Sequence, residues 1–349
     1  PILEKKDINS NFKNINIPNK YSHLNFSGGS TSEPVRFYQD REYWEWGELS
    51  RRWTYSICDI ANSNKLLFYG SNFDNKSPES LRGRTALFMR NQAYINAFST
   101  NIIELEKKIK NASKKNFKHL FGYAGALNYF TNICIKHNID FEFKTVQSTG
   151  EMLTPKYRKN IEKKFGKIVF DRYGSREVSI LASTSKNSYS KFIECSFHNH
   201  IETVKNKIGE NEIIVTNLNN FCFPFIRYRI GDIISDKNIY DNSYTFKELK
   251  GRNLGVLETP NGKMVSLLIF PHLFGQINEI EDYQIIIEKN NIMKIKIVKN
   301  DSFSDSTIHV IHNIIKDKVD NAYKVQIDYL KRINYDKNGK KQIVRFINS

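Results

Sequence analysis

Apolar positions change their period several times along the chain. In residues 40–60, DREYWEWGELSRRWTYSICDI, the residues Trp44, Leu49, Trp53 and Ile57 recur near helical spacing and predict a packed helix. KLLFYG, residues 65–70, is a short unbroken apolar run and predicts a buried strand. Residues 91–116 are expected to contain a helix with a cationic, solvated end. A regular alternation follows. HLFGY at 119–123 predicts a strand and GALNYFTNICIKHN a helix; FKTVQSTGE at 143–151 predicts another strand that ends in a polar turn. TPKYRKNIEKKFG at 154–166 carries its own punctuation, with Thr154 as N-cap, Pro155 in the first helical position and Gly166 as the stop. KIVFDRYGSREVSILAS at 167–183 predicts a strand, a turn and a further apolar segment. Strands separated by helices of this length imply α/β architecture around a parallel sheet. Ligand-binding loops then belong at the carboxyl ends of its strands.

From about residue 190 the pattern turns strand-rich, with NEIIVTNL (211–218), FPFIRYRIGDIIS (223–235) and YTFKEL (244–249). After KGRNLG (250–255) the last hundred residues read as a separate small α+β domain. YQIIIEKNNIMKIKIV predicts a hairpin around Asn290-Asn291, residues 304–320 a helix with Ile308, Ile311, Ile314 and Ile315 on one face, and YKVQIDYL a strand. The expected organisation is a large domain over 1–250 and a small one over 251–349. Residues 1–26 read as an irregular, polar lead-in without an initiator Met, as in a piece of a longer protein.

Composition narrows the function classes. Apolar residues make up 40% of 349, enough for a sizeable core, and no run approaches the ~18 residues of a membrane helix. With no apolar leader, the expected address is the cytoplasm. The net charge of +16 suits an anionic partner. The lysines are scattered, however, and none of the Arg- and aromatic-rich nucleic-acid modules is present, so a phosphorylated small molecule is preferred over nucleic acid. Four dispersed cysteines argue against a disulfide framework. Cys195, His198, His200 and Cys222 form a loose zinc candidate, with an alternating strand as the plainer reading.

Several short segments carry chemistry. Glycines and hydroxyls in SGGSTSEP (27–34) suit a phosphate, although the segment lacks the GK[ST] ending of a Walker loop. YGSRE (173–177) sets an aromatic at a strand end and a carboxylate four residues later, suited to a purine and Mg²⁺. In FPFIRYRIGDI, Asp232 is in position to accept ribose hydroxyls. KGRNLG and DKNGKKQIVRF complete the set, the latter with Lys340 after a glycine turn.

The order of these segments, SGGST, GE, YG-x-x-E, RY-x-x-GD, GR and a final GK, resembles the adenylate-forming superfamily. It is closest to the phenylacetate–coenzyme A ligase branch and its CapK-like capsular-polysaccharide relatives. The resemblance spans nearly the whole chain, and NEIIVTNLNNFCFPFIRYRIGDI is its most specific part. It implies an ATP-dependent ligase that converts a small carboxylic acid to an acyl-adenylate. The acyl group then passes to a thiol, amine or hydroxyl acceptor: coenzyme A, an amino sugar or a carrier protein. It further implies that Ser27, Gly28, Gly29, Ser30 and Thr31 cradle phosphates and that Gly150 and Glu151 border the nucleotide and acyl pocket. Tyr173 and Gly174 would lie by adenine, Glu177 would hold Mg²⁺ and Asp232 the ribose. Arg252 would touch the nucleotide, and Lys340 would reach the reacting oxygens. Tyr123 and Ala124 fall where the acyl pocket is expected, and Arg176 could meet phosphate or the acyl carboxylate. Ser32, Glu33 and Arg176 depart from the family pattern, and no coenzyme A signature is visible. A non-catalytic relative that binds a nucleotide or carboxylate is the alternative.

Overall fold

The computed structural model describes the chain except residues 16, 28–34, 61–63, 70–80, 98–100, 241–242, 253–255, 268, 276, 334–342 and 348–349. Two compact units are present. The larger takes in Pro34–Val204 and Asn211–Leu249, and the smaller takes in Lys250–Ser349.

The larger unit is built on a nine-stranded mixed sheet. From one edge its strands run Lys237–Tyr240, Ser243–Phe246, Ser188–Glu194, Ser179–Ser185, Val169–Ser175, Thr145–Thr149, His119–Tyr123, Lys65–Tyr69 and Gln92–Asn96. Pairing is parallel across the last five and antiparallel across the rest. The change of direction falls on Val169–Ser175. One face of the parallel half buries Leu66, Phe68, Ile95, Leu120, Val146 and Val169 under the helices Ile102–Ser113, Ala124–Lys136 and Pro155–Phe165. Phe130 is the centre of that layer, with Phe68 at 5.0 Å and Phe141 at 5.3 Å. A second sheet runs in the order Asn199–Lys205, Asn211–Asn217, Tyr228–Ile234, Leu249–Arg252. Its apolar residues join Phe37, Tyr173, Leu181 and Phe246 in a second core.

The predicted punctuation around 154–166 is present as read. Thr154 accepts from the Tyr157 N–H at 3.2 Å, Pro155 opens the helix and Gly166 ends it in the left-handed region at φ 62°. The helix expected within 91–116 is Ile102–Ser113, and the same segment also holds a strand, Gln92–Asn96, because a parallel partner at Lys65–Tyr69 captures the short apolar run. Other expectations are corrected. The polar lead-in contains a helix, Lys5–Ile15, anchored by the buried Ile8. The helix over 40–60 forms as Arg41–Ile57, but its buried stripe is Tyr43, Ser50 and Thr54; Trp44 and Leu49 are about half exposed. A helix lying on polar strand positions buries small and hydroxyl-bearing residues, which a search for apolar residues passes over.

The smaller unit is an α+β layer with strand order Lys324–Tyr329, Ile292–Lys299, Ile280–Glu288, Val344–Ile347. The hairpin turns at Asn290 and Asn291, both at φ 59°, a left-handed conformation that asparagine tolerates. The helix Asp305–Ile314 continues as a π-helical turn, Ile315–Val319, and buries Ile311, Ile315 and Val319 in the core. Among the described residues no helix is long and apolar enough to cross a membrane.

Gly122 shows how closely the main sheet and its helices approach. A Cβ there would lie 2.3 Å from the Phe68 carbonyl oxygen and 3.0 Å from Leu127 Cδ2. Gly122→Ala should therefore cost about 1–3 kcal/mol of stability as overpacking, measured by urea unfolding; an unchanged midpoint would contradict the close packing described.

Candidate functional site

The strand Val169–Ser175 carries most of the candidate site. It pairs in parallel with Thr145–Thr149 on one side, Thr149 opposite Arg172, and antiparallel with Ser179–Ser185 on the other, Tyr173 opposite Ala182. The register shifts between Tyr173 and Gly174. A Cβ on Gly174 would lie 2.3 Å from the Ser179 carbonyl oxygen, so a glycine lets the turn close. Alternation then sends Arg172 and Tyr173 to opposite faces of the sheet.

Tyr173 is buried and donates its hydroxyl to Asp232 Oδ2 at 2.6 Å, a short charge-assisted bond. Phe246 stands edge-on to the Tyr173 ring at 6.5 Å. Asp232 is reached through Gly231, whose φ of 85° favours glycine. The YG-x-x-E and RY-x-x-GD segments, 59 residues apart at these two positions, are thus joined by one hydrogen bond. Tyr173 meets the site through its hydroxyl, while its ring belongs to the second core.

The next turn is held from below. The Arg176 carbonyl accepts from Gln39 Nε2 at 2.7 Å and from the Tyr43 hydroxyl at 3.2 Å. This leaves the Arg176 side chain exposed and Glu177 buried at 4% exposure. Burial, with the Glu177 charge nearby, raises Tyr43 well above the usual phenol range, so Tyr43 remains a donor. Among the described residues no cluster of three His, Cys, Asp or Glu could hold a metal. Mg²⁺ shared with phosphates takes one or two protein carboxylates, so a single buried Glu177 fits that ion.

A second group gathers where the helix Ala124–Lys136 begins. Tyr123 and Thr149 are partners at neighbouring strand ends, and Gly150, at φ 71°, lies against the Tyr123 ring; a Cβ there would be 2.9 Å from two ring carbons. Tyr123 is the N-cap but contributes no side-chain cap. Glu151 supplies it, accepting from the Gly125 N–H at 2.8 Å at the positive end of the helix. Glu151 keeps accessible surface yet is crowded by protein. That desolvation raises its carboxyl above the usual range, against the pull of the Gly125 N–H. Ala124 has no accessible surface, so neither its methyl group nor its backbone faces open space.

Ser27 has a structural task. Its hydroxyl accepts from the Val35 N–H at 2.8 Å, and its own N–H bonds the Val35 carbonyl at 2.8 Å, which closes the neck of the loop between them. Gly28, Gly29, Ser30, Thr31, Ser32, Glu33, Gly255 and Lys340 lie outside the described residues, as does the side chain of Arg252.

The zinc candidate is corrected. His200 is exposed, and the Cys222 thiol bonds Asn220 Oδ1 at 3.2 Å. His198 is fully buried with Nδ1 on Asn219 Nδ2 at 3.0 Å. Burial pushes the Cys195 and Cys222 thiols up to about 12 and about 11, away from the thiolate a metal needs.

Sequence reasoning missed Gln39, Tyr43 and the buried pair Ser148–Asp171. Ser148 donates to Asp171 at 2.6 Å, and burial raises Asp171 to about 6. No local pattern marks these residues; each acquires its role from a partner distant in sequence.

Comparison with known proteins matches this architecture. A solved 2-hydroxyisobutyryl-CoA ligase, in the postadenylation state with an acyl-AMP, superposes with TM-score 0.74 at 14% identity over 100% of this chain and 80% of that one. MatB from Rhodopseudomonas palustris, bound to ATP, gives 0.63 at 11% identity over 90% of this chain and 65% of that one. The fold is that of the adenylate-forming ligases. Residues 257–347 match the family described as the CapK C-terminal domain. Protein CapK of Staphylococcus aureus is 23% identical over 98% of this chain and 78% of its own length. The CapK-like resemblance read from the ordered motifs is thereby borne out.

His119 and His198 are both held near 4, chiefly by burial, whereas an unfolded histidine titrates near 6.5. Between those values the unfolded chain binds more protons, so stability falls as pH drops from about 6.5 towards 4. Asp171, raised to about 6, acts in the opposite direction over part of that window, and two histidines outweigh it. Urea midpoints should therefore decline from pH 7 to 4.5, and replacing both histidines with Asn should flatten the decline; a profile that rises on acidification would contradict it.

Proposed function

We propose that this protein is an ATP-dependent ligase that activates a small carboxylic acid as its acyl-adenylate, releasing pyrophosphate, and then transfers the acyl group. The observation that carries the reading is the Tyr173–Asp232 bond, which gathers two of the motif segments at the carboxyl end of a parallel strand. In this reading Asp232, fixed by Tyr173, accepts the ribose hydroxyls, and Gly174 gives the nucleotide close access to the backbone. Glu177 would hold Mg²⁺, which neutralises phosphate charge. Gly150 and Glu151 border the acyl site with Tyr123, and Ala124, which has no accessible surface, backs it from behind. The phosphate loop of Ser27 to Thr31, Arg252 and Lys340 enter on the resemblance alone, with Lys340 neutralising charge on the reacting oxygens. Arg176, exposed beside the turn, meets phosphate or substrate carboxylate.

The acceptor is a thiol, amine or hydroxyl: coenzyme A, an amino sugar or a carrier protein. The resemblance points to surface-polysaccharide or secondary-metabolite assembly, and use of ATP to the cytoplasm. The small unit would act as the mobile domain of a two-step cycle.

Exchange of labelled pyrophosphate into ATP, driven by a panel of carboxylic acids, tests the reading; no exchange with any acid, alongside retained nucleotide binding, would favour the non-catalytic alternative. Asp232→Ala should weaken nucleotide binding by about 2–4 kcal/mol, as loss of charged hydrogen bonds of ~1.5–3 kcal/mol each that are not additive. An unchanged calorimetric dissociation constant would leave Asp232 a core residue only. Lys340→Ala should abolish exchange while nucleotide affinity stays nearly intact, because a charge that acts on the transition state contributes little to ground-state binding. Normal exchange in that variant would remove Lys340 from the reaction.

A further inference from the structure

The face of the parallel sheet opposite the helical core is more polar than a buried sheet face usually is. Lys65, His119, Thr145 and Gln147 lie on it at 7% exposure or less. At its carboxyl end Thr149 is the strand partner of both Tyr123 and Arg172. The Arg172 guanidinium stacks over Phe121 at 4.4 Å, and its Nε donates to Thr149 Oγ1 at 3.3 Å. Nη1 is buried and has no hydrogen-bond partner among the described residues. Gln147, two residues before Thr149 and on the same face, likewise buries an Oε1 with no partner.

Among the described residues Arg172 has no carboxylate partner. The described groups that act most strongly on it are Tyr55, Arg51, Tyr69 and Cys58. Arg51 is committed to Glu48, and Glu48 also meets Arg52 and Arg90. A buried charge without a partner is costly, and a stack on one aromatic ring offsets only part of that. The aromatic residues around it form a continuous wall: Tyr69 is 6.2 Å from Phe121, 5.6 Å from Tyr123 and 5.4 Å from Tyr94.

Resting on the ligase reading above, we propose that Arg172 determines specificity, receiving a second anionic group of the acid at the far end of an aromatic-walled acyl site. The substrate class is then the dicarboxylic acids. One carboxylate is activated, and the other accepts the unpaired Nη1 and its neighbouring donor in the paired geometry that guanidinium and carboxylate favour.

The test compares monocarboxylic with dicarboxylic acids of equal chain length, by pyrophosphate exchange and by calorimetric titration of the acid alone. In the wild type the dicarboxylate should be preferred. Arg172→Met should lower the ratio of kcat/KM for dicarboxylate over monocarboxylate by about 10- to 100-fold, the range for one charged hydrogen-bonded pair, and Arg172→Lys should keep part of it. A wild type without preference overturns the proposal, and so does an Arg172→Met variant with an unchanged ratio. If no acid supports exchange, titration decides: tighter dicarboxylate binding that Arg172→Met abolishes upholds the anion site while the ligase reading fails, and equal binding of both acids overturns the site. If Arg172→Met does not fold, the wild-type preference and Arg172→Lys carry the decision alone.

Discussion

Tyr173 and Asp232 come from different sheets, and the short bond between them is made where water has little access. A carboxylate in such a position needs a donor of fixed direction, since desolvation penalises its charge. A phenol carried on a rigid strand supplies one. The remaining geometry follows from keeping that strand in place. Gly174 allows the antiparallel neighbour to close, Gly231 gives the approach to Asp232, and Gln39 with Tyr43 holds the turn that buries Glu177. The candidate nucleotide residues are thus positioned partly by glycines within the motif segments and partly by the side chains of Gln39 and Tyr43, which lie well outside them.

The strand divides its labour by alternation. Tyr173 serves one face, and Arg172, its neighbour in sequence, serves the other. Asp171 lies between core and sheet, with Ser148 and Thr184 satisfying its side chain and backbone. Three consecutive polar residues within a buried strand are expensive to fold unless each has a use. Asp171 and Tyr173 have hydrogen-bond partners, and Arg172 bonds Thr149 through Nε while its Nη1 is unmatched within the described residues.

Much of this architecture was legible in the sequence because the signals were local. Thr154, Pro155 and Gly166 bound their helix by cap chemistry alone, and Asn290-Asn291 fixed the hairpin by tolerance of positive φ. The strand at Gln92–Asn96 was not legible, since it depends on pairing with Lys65–Tyr69 rather than on its own composition. Likewise the buried stripe of Arg41–Ile57 follows a polar sheet face, so Trp44 and Leu49 misled. For the candidate site, the ordered motifs singled out Tyr173, Glu177 and Asp232, of which the structure joins the first and last by a hydrogen bond, whereas Gln39, Tyr43 and Arg172 stand out only through neighbours that no spacing rule reveals.

The reversal of strand direction at Val169–Ser175 also bears on how the chain reaches this state. Its antiparallel partner, Ser179–Ser185, follows after a three-residue connection, so that pairing closes a small loop. The parallel pairings each require a crossover helix, and Lys65–Tyr69 must hold Gln92–Asn96 on one side and His119–Tyr123 on the other. Contacts distant in sequence form late because chain entropy is lost before they repay it. Ser188–Glu194 follows Ser179–Ser185 after only two residues, so Val169–Glu194 is a local antiparallel run of three strands. By loop length alone, the strand that bears the candidate chemistry gains its antiparallel partner early and the outer parallel strand is placed late.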